Sequence, residues 1–362
     1  MRAGVVVTAQ PGVEDLAVRA EELGLHSFWV NDTPMVHGDA FVALSLCAKA
    51  TSRIRLGIGV TSPALRSAPA AAGGLTSLNA LAPGRIICGV GTGNTARRTL
   101  GMRPTTAATV ETFTAALQGL CAGRTIEYRE GDRVRDVRFL HAGGQVNTAD
   151  PIEFVVAALG PKAAAVAGRR GTGLISFGLL DPTAWHALHD ARRSAARGTP
   201  RDPDSRTDPR ADSYVVTALH ILDEDEDPHG DAARDATGHL VLSLLAFAAD
   251  TAADTAADTP AFAEQLGPAE RETVRRLLDR RGTSATAPDR HTKLYPNYLG
   301  RIAPQDRDLI LPSLMNTLAL VGTRDDLRAR IATLQQAGID ELLIQPVIDP
   351  PTEMAQLAKL LT

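Results

Sequence analysis

Aromatic residues are scarce in this 362-residue chain: two Trp, four Tyr and eight Phe amount to 4% of it. A core must then be assembled from small and branched aliphatic side chains, and an alanine-rich chain of that kind favours helices packed closely on a sheet over a β-sandwich. Cysteine is also rare. Cys47, Cys88 and Cys121 lie in apolar patterns at none of the spacings of a metal site or disulfide framework, so they read as buried hydrophobes of a reducing compartment. Neither sign of charge dominates: 38 basic and 42 acidic residues are interspersed and leave a net charge of −4. That balance argues against a nucleic-acid polymer as partner. No apolar run approaches the roughly 18 residues of a membrane-spanning helix. The opening "MRAGVVVTAQPG" lacks the apolar stretch of a signal peptide. The expectation is a cytoplasmic protein with no membrane segment, no nucleic-acid partner and no metal.

What is present is a rhythm. Short apolar runs rich in β-branched residues alternate with stretches of helical period. "AGVVVT" (3–8), "HSFWV" (26–30), "IRLGIGV" (54–60) and "RIICGVG" (85–91) read as strands, each followed by a helical segment. Strands apolar throughout mark a parallel sheet covered on both faces. Four more candidates follow at 152–159, 173–178, 213–222 and 341–347. A doubly wound sheet and a barrel both accommodate four such units, but eight strands with intervening helices point to an α/β fold of the (β/α)8 TIM-barrel type. One domain over 1–362 is expected, with two insertions. Residues 124–150 alternate charged and apolar around "EGD" and read as a hairpin after strand four. Residues 223–312 form a long insertion after strand seven, and its "AADTAADTAADTP" (248–260) is low-complexity.

In a barrel, chemistry sits just past the C-terminal ends of the strands. There the chain offers Asn31, Asp32 and Thr33 after strand two, Thr61, Ser62 and Arg66 after strand three, and "GTGNTARR" after strand four. Glycine turns end many strands for packing reasons, yet they also let backbone N–H groups approach a ligand. "AALGPKAAAVAG" adds a second anion signal. Pro161 suits a first helical turn, the helix N-terminus behind it presents free N–H groups, and Lys162 could add charge. Among the histidines, His37, in the second-strand loop beside Gly38 and Asp39, is placed to meet a substrate. Asp32 could orient its neighbours or serve as a turn residue. The stretch "RHTKLYPNYLGRI" (290–302) reads equally as a lid over the mouth or as a surface helix and loop.

The combination of "SFWVNDTP", "DAFVALSLCAKATSRIRLGIGVTSP", "GRIICGVGTGN", "AALGPKAAAVAGRRGTGLISFG" and "LVGTRDDLRARIATLQQAGIDELLIQP" resembles the bacterial-luciferase-like superfamily. It is most similar to the coenzyme F420-dependent branch, which includes methylenetetrahydromethanopterin reductase and sugar-phosphate dehydrogenases. The resemblance implies a deazaflavin across the barrel mouth, against a strand-three bulge with a non-prolyl cis peptide at Gly59-Val60. Thr61 and Arg66 would border it, and Gly93 and Asn94 would meet the ring or ribityl edge. Ala157, Ala158, Leu159 and Gly160 would offer N–H groups to the phosphate, with Lys162 nearby. The sugar-phosphate dehydrogenases carry a His and a Glu where this chain has Thr33 and Asn94. Alcohol oxidation, which needs a base, is therefore not the expected chemistry. The resemblance implies instead hydride delivery from reduced F420 to a C=N or C=C bond of a small molecule, with Asp32, Thr33, Asn94 and His37 about the reaction. FMN with O2, in a monooxygenase fed by a separate flavin reductase, is the alternative, and a non-catalytic flavin-binding barrel a third reading. An F420-reducing enzyme and a second copy of the chain are the partners implied.

Overall fold

The computed structural model describes residues 1–141, 144–198, 211–251 and 266–361. Its first half repeats one unit four times: β1 (Arg2–Val7), α1 (Val13–Glu22), β2 (Ser27–Val30), α2 (Ala40–Ala50), β3 (Arg55–Thr61), α3 (Ala68–Leu81) and β4 (Ile86–Val90), followed by a short α4 (Asn94–Arg98) and α5 (Ala107–Cys121). The helices start where short polar side chains cap them. Asp39 accepts from the N–H groups of Phe41 and Val42 at 2.8 and 3.1 Å, and Ser67 accepts from Ala70 at 3.4 Å. Next come the antiparallel pair β5 (Ile126–Glu130) and β6 (Arg133–Val137), where the hairpin was expected, then β7 (Glu153–Ala157), α6 (Pro161–Arg170), β8 (Gly173–Phe177), α7 (Pro182–Arg197) and β9 (Ser213–Ile221). After β9 come α8 (Asp231–Thr251), α9 (Pro268–Arg280), α10 (His291–Leu294), a 3-10 turn at Pro304–Leu309 and α11 (Pro312–Leu318). The chain ends with β10 (Ala319–Gly322), α12 (Arg324–Gln336), β11 (Glu341–Ile344) and α13 (Pro350–Leu361).

Eight parallel strands close on themselves in the order β1-β2-β3-β4-β7-β8-β9-β11, which is the expected (β/α)8 barrel. One element was not expected. β9 outlasts its barrel neighbours, and its last residues, from Ala218 to Ile221, pair with β10. The last strand is also shorter than the pattern implied: pairing stops at Ile344, and Gln345 to Val347 are rim.

The barrel interior is filled by Val6, Trp29, Ile87, Val155, Ile175, Tyr214, Val216 and Leu343. Trp29 and Tyr214 meet edge to face with centroids 5.2 Å apart, so two of the few large rings occupy the barrel axis. The N-terminal end is plugged by a polar network. Trp29 Nε1 donates to Ser27 Oγ at 2.7 Å, Ser27 Oγ donates to the Glu341 carboxylate, and the Tyr214 hydroxyl donates to Glu153 Oε1 at 2.8 Å. Arg55 pairs with the other Glu153 oxygen at 2.5 Å. Because this end is plugged, ligand access is left to the opposite face. The segment between β9 and α12 builds a second apolar cluster of its own, around Leu240, Leu245, Leu277, Ile310 and Met315. The AADT repeat contributes the last turn of α8 through Thr251, and its residues 252–260 lie outside the described residues. Among the described residues no helix is long and apolar enough to cross a membrane.

Candidate active site

Glycines in and just after β4 clear space for one side chain of β3. β3 changes register against β4 between Ile58 and Thr61, and the Gly59-Val60 peptide is cis, where it was expected. The bulge aims Val60 at β4. A Cβ at Gly89 would lie 2.5 Å from Val60 Cγ1, and one at Gly91 would lie 2.9 Å from Val60 Cγ2 and 3.1 Å from the Ala157 Cβ. Gly89 and Gly91 are therefore glycine so that Val60 can stand on the rim of the mouth. Gly93 differs: its φ of 71° is left-handed, and a Cβ there would also meet Ser62 Oγ at 2.6 Å. It turns the chain into α4, whose first residue is Asn94.

Asn94 is not free, because its Oδ1 accepts from Arg98 Nε at 2.8 Å. Arg98 in turn reaches Asp250 of α8 at 3.4 Å. Arg290 Nε donates to the other Asp250 oxygen at 2.6 Å, and the Tyr295 hydroxyl donates to Asp250 at 3.2 Å. The hydroxyls of Thr95 and Tyr298 hydrogen-bond at 3.0 Å. These contacts tie the strand-four turn to residues 290–302, of which 291–301 line a cavity with the ends of β1 and β11.

On the β2 side, Asp32 and Thr33 are buried. Burial raises the Asp32 pKa above the usual carboxylate value, and Arg66 opposes the shift. Arg66 binds Asp32 Oδ2 and Asp39 Oδ2, both at 2.6 Å, and stacks 4.4 Å from the Phe41 ring. Arg66 thus forms a clamp between the β2 and β3 loops. A correction falls at Ala158, whose N–H donates to the Ile175 carbonyl at 2.9 Å and belongs to the sheet. Leu159 and Gly160 fare differently. Their N–H groups meet no acceptor among the described residues, Leu159 is exposed, and Gly160 caps α6 ahead of Pro161 with nothing within 4 Å of a Cβ built on it. Ala157 ends β7 beside Gly91, and Lys162 is exposed in the first turn of α6.

Beyond this rim lies a cavity of about 960 Å³ between the ends of β1 and β11, the second-strand loop and residues 291–301. His37, Tyr298 and Gln345 line it, with Thr8, Gln10 and His291. Burial lowers the His37 pKa, opposed by a hydrogen bond that the ring donates to the Val36 backbone, so the ring is neutral near pH 7. Met35, Asn297 and Leu299, also on the lining, are non-glycine residues in the left-handed region, a cost that tertiary contacts must hold in place. The structure brings His37 to this cavity and places Gly59, Val60, Thr61, Gly93 and Asn94 at the adjoining β3–β4 rim. Sequence reasoning missed Gln345 and Asp250. Gln345 reads as the tail of an apolar strand, and its only signal is a polar residue before Pro346 at a strand end.

The family model described as luciferase-like monooxygenase matches residues 7–341, nearly the whole barrel. The chain belongs to that family. Among its relatives is the 5,10-methylenetetrahydromethanopterin reductase of Methanolobus tindarius, 24% identical over 345 residues, 93% of this chain and 90% of that one. The F420-dependent glucose-6-phosphate dehydrogenase of Kineococcus radiotolerans is 36% identical over 210 residues, which are 52% of this chain and 60% of that enzyme. Solved structures agree on the luciferase-like fold. An F420-dependent secondary alcohol dehydrogenase in complex with an F420-acetone adduct superposes with a TM-score of 0.67 at 16% identity, over 99% of this chain and 97% of that one. The oxygenating constituent of 3,6-diketocamphane monooxygenase from the CAM plasmid of Pseudomonas putida, in complex with FMN, gives 0.62 at 16% identity, over 100% and 96%. F420-dependent and FMN-binding proteins are thus both among the members that this luciferase-like chain is similar to.

Proposed function

We propose that this protein uses reduced coenzyme F420 to deliver hydride to a C=N or C=C bond of a small molecule held at the barrel mouth. One observation carries the reading: the groups nearest the bulge are neutral or already paired. Thr33 and Asn94 have no acid–base chemistry, and Asp32 is clamped by Arg66. An alcohol dehydrogenase needs a group to take the hydroxyl proton as hydride leaves. Reduction of an electron-poor double bond asks for alignment and exclusion of water, which residues 290–302 and the neutral rim supply. Near full-length similarity to a reductase points the same way.

The residues present fit the cofactor. Val60 offers an apolar rest for a flat ring, and the N–H groups of Leu159 and Gly160 with the α6 N-terminus suit a phosphate, with Lys162 beside them. Bound there, the reduced deazaflavin supplies the hydride. The neutral His37 ring holds one lone pair and one N–H, and so passes a proton between solvent and the reduced bond. The proposal includes a separate F420-reducing enzyme in the cytoplasm and a homo-oligomer.

Anaerobic titration of the purified protein with F420 and with FMN tests it. Micromolar F420 binding, with oxidation of reduced F420 by an unsaturated acceptor, is expected. Tight FMN binding with negligible F420 affinity would remove the proposal. It would favour the monooxygenase reading, which the FMN complex among the fold neighbours supports.

A further inference from the structure

We propose that Gln345 reads the substrate: its Oε1 accepts a hydrogen bond from an N–H or O–H that an uncharged substrate carries into the cavity at the mouth. The inference rests on the reading of that mouth as the substrate site.

Gln345 follows β11 directly, and its backbone N–H donates to the Thr217 carbonyl at 2.9 Å. Its side-chain Nε2 donates to the Leu299 carbonyl at 3.2 Å. Only the NH2 end of an amide can donate to a carbonyl, so this contact fixes which end is which. Oε1 is then the free end. The residue is 2% exposed and lines the cavity, yet Oε1 has no donor among the described residues. Buried amide oxygens are normally satisfied, so an orphaned one on a residue that lines a cavity marks where a ligand donor belongs. The same cavity holds a second shielded polar atom without a partner, His37 Nε2.

The rest of the lining sets the charge of the occupant. Among the described residues no carboxylate lines the cavity, so a cation finds no charged partner among them. The one Lys or Arg on the described lining is Arg301, more than half exposed and drawn to Asp235 at 3.6 Å. A sugar phosphate would find no dedicated cation here. A neutral heterocycle or lactam with an N–H, or an enol with an O–H, supplies the donor that Oε1 lacks. The amide also couples substrate to lid. A donor at Oε1 polarises the group and strengthens the Nε2 bond to Leu299, so an occupied cavity holds residues 290–302 more firmly.

The test uses the full chain without cofactor and a matched pair of probes, 2-pyridone and 1-methyl-2-pyridone, read by ligand-observed NMR or calorimetry. The cavity, at about 960 Å³, has volume for either probe. Wild type is expected to bind 2-pyridone about fivefold more tightly, the ratio of one neutral hydrogen bond. Q345M, which keeps the volume and loses both polar ends, should bind the two alike. Q345E, which keeps acceptor oxygens and loses the donor to Leu299, should retain the preference. Equal binding of both probes by wild type, binding of neither, or a preference surviving in Q345M overturns the proposal. The wild-type comparison stands even if a variant fails to fold. Since no cofactor is added, failure here leaves F420 binding untouched, and failure of F420 binding leaves this result untouched.

Discussion

Gly57 shows how a single missing methyl organises the barrel. It sits in register with Trp29 on the neighbouring strand, and a Cβ there would lie 2.2 Å from Trp29 Cδ2 and 2.3 Å from Cε3. The indole is wholly buried, held by its bond to Ser27 and by the edge of Tyr214. It cannot retreat without breaking the polar plug. Gly57→Ala should therefore destabilise the protein by about 3 kcal/mol, at the upper end for overpacking. Gly73 in α3 is the matched control. A Cβ there meets nothing within 4 Å, and Gly73→Ala should stabilise by up to about 1 kcal/mol through helix propensity. Denaturant unfolding of both variants checks the contrast, and equal effects would mean the Trp29 pocket gives way.

At the scale of elements, the strands were legible because each is an apolar run of β-branched residues, and the hairpin because its charges alternate about a turn. β10 was not, because its four residues lie inside a longer apolar stretch and gain strand geometry only by pairing with the overhang of β9. The site was legible in part. Gly93, Gly160 and Pro161 announce their backbone roles locally, whereas the Arg66 clamp and the Asp250 hub depend on partners far away in sequence. α6 yields the cleanest test of the cofactor site. Gly160 has an extended backbone, and no neighbour stands near its Cβ position. Valine also suits the residue before a proline. Gly160→Val should leave the unfolding midpoint unchanged and weaken F420 binding by about 2 kcal/mol through lost N–H contacts. Unchanged affinity in a fluorescence titration would put the phosphate elsewhere.

For the whole molecule, buried histidines set the response to acid. His239 of α8 is 1% exposed with neither ring nitrogen partnered among the described residues, and burial holds its pKa down at about 3. His189 of α7 is held at about 4, by burial first and then by Arg192 and Arg193. The unfolded chain protonates both near pH 6.5, whereas the folded chain leaves both neutral until far lower. The stability they allow is therefore complete above about pH 6.5 and declines as pH falls, by up to about 1.4 kcal/mol per pH unit for each. Glu21 adds a lower window. Burial pushes its carboxyl up, but hydrogen bonds from Ile54, Arg53 and Ser52 prevail and hold it at about 2, so its contribution fades between about pH 4.5 and 2. Asp32, Asp340 and Glu353, all raised by burial, act in the opposite sense in mild acid. A difference measurement separates these terms. Wild type should lose about 2 kcal/mol more than His239→Leu between pH 7 and pH 5, because only wild type then releases an unprotonated imidazole that takes up a proton on unfolding. Denaturant unfolding at the two pH values reads the difference directly, and parallel losses in the two proteins would show that His239 is solvated in the folded state.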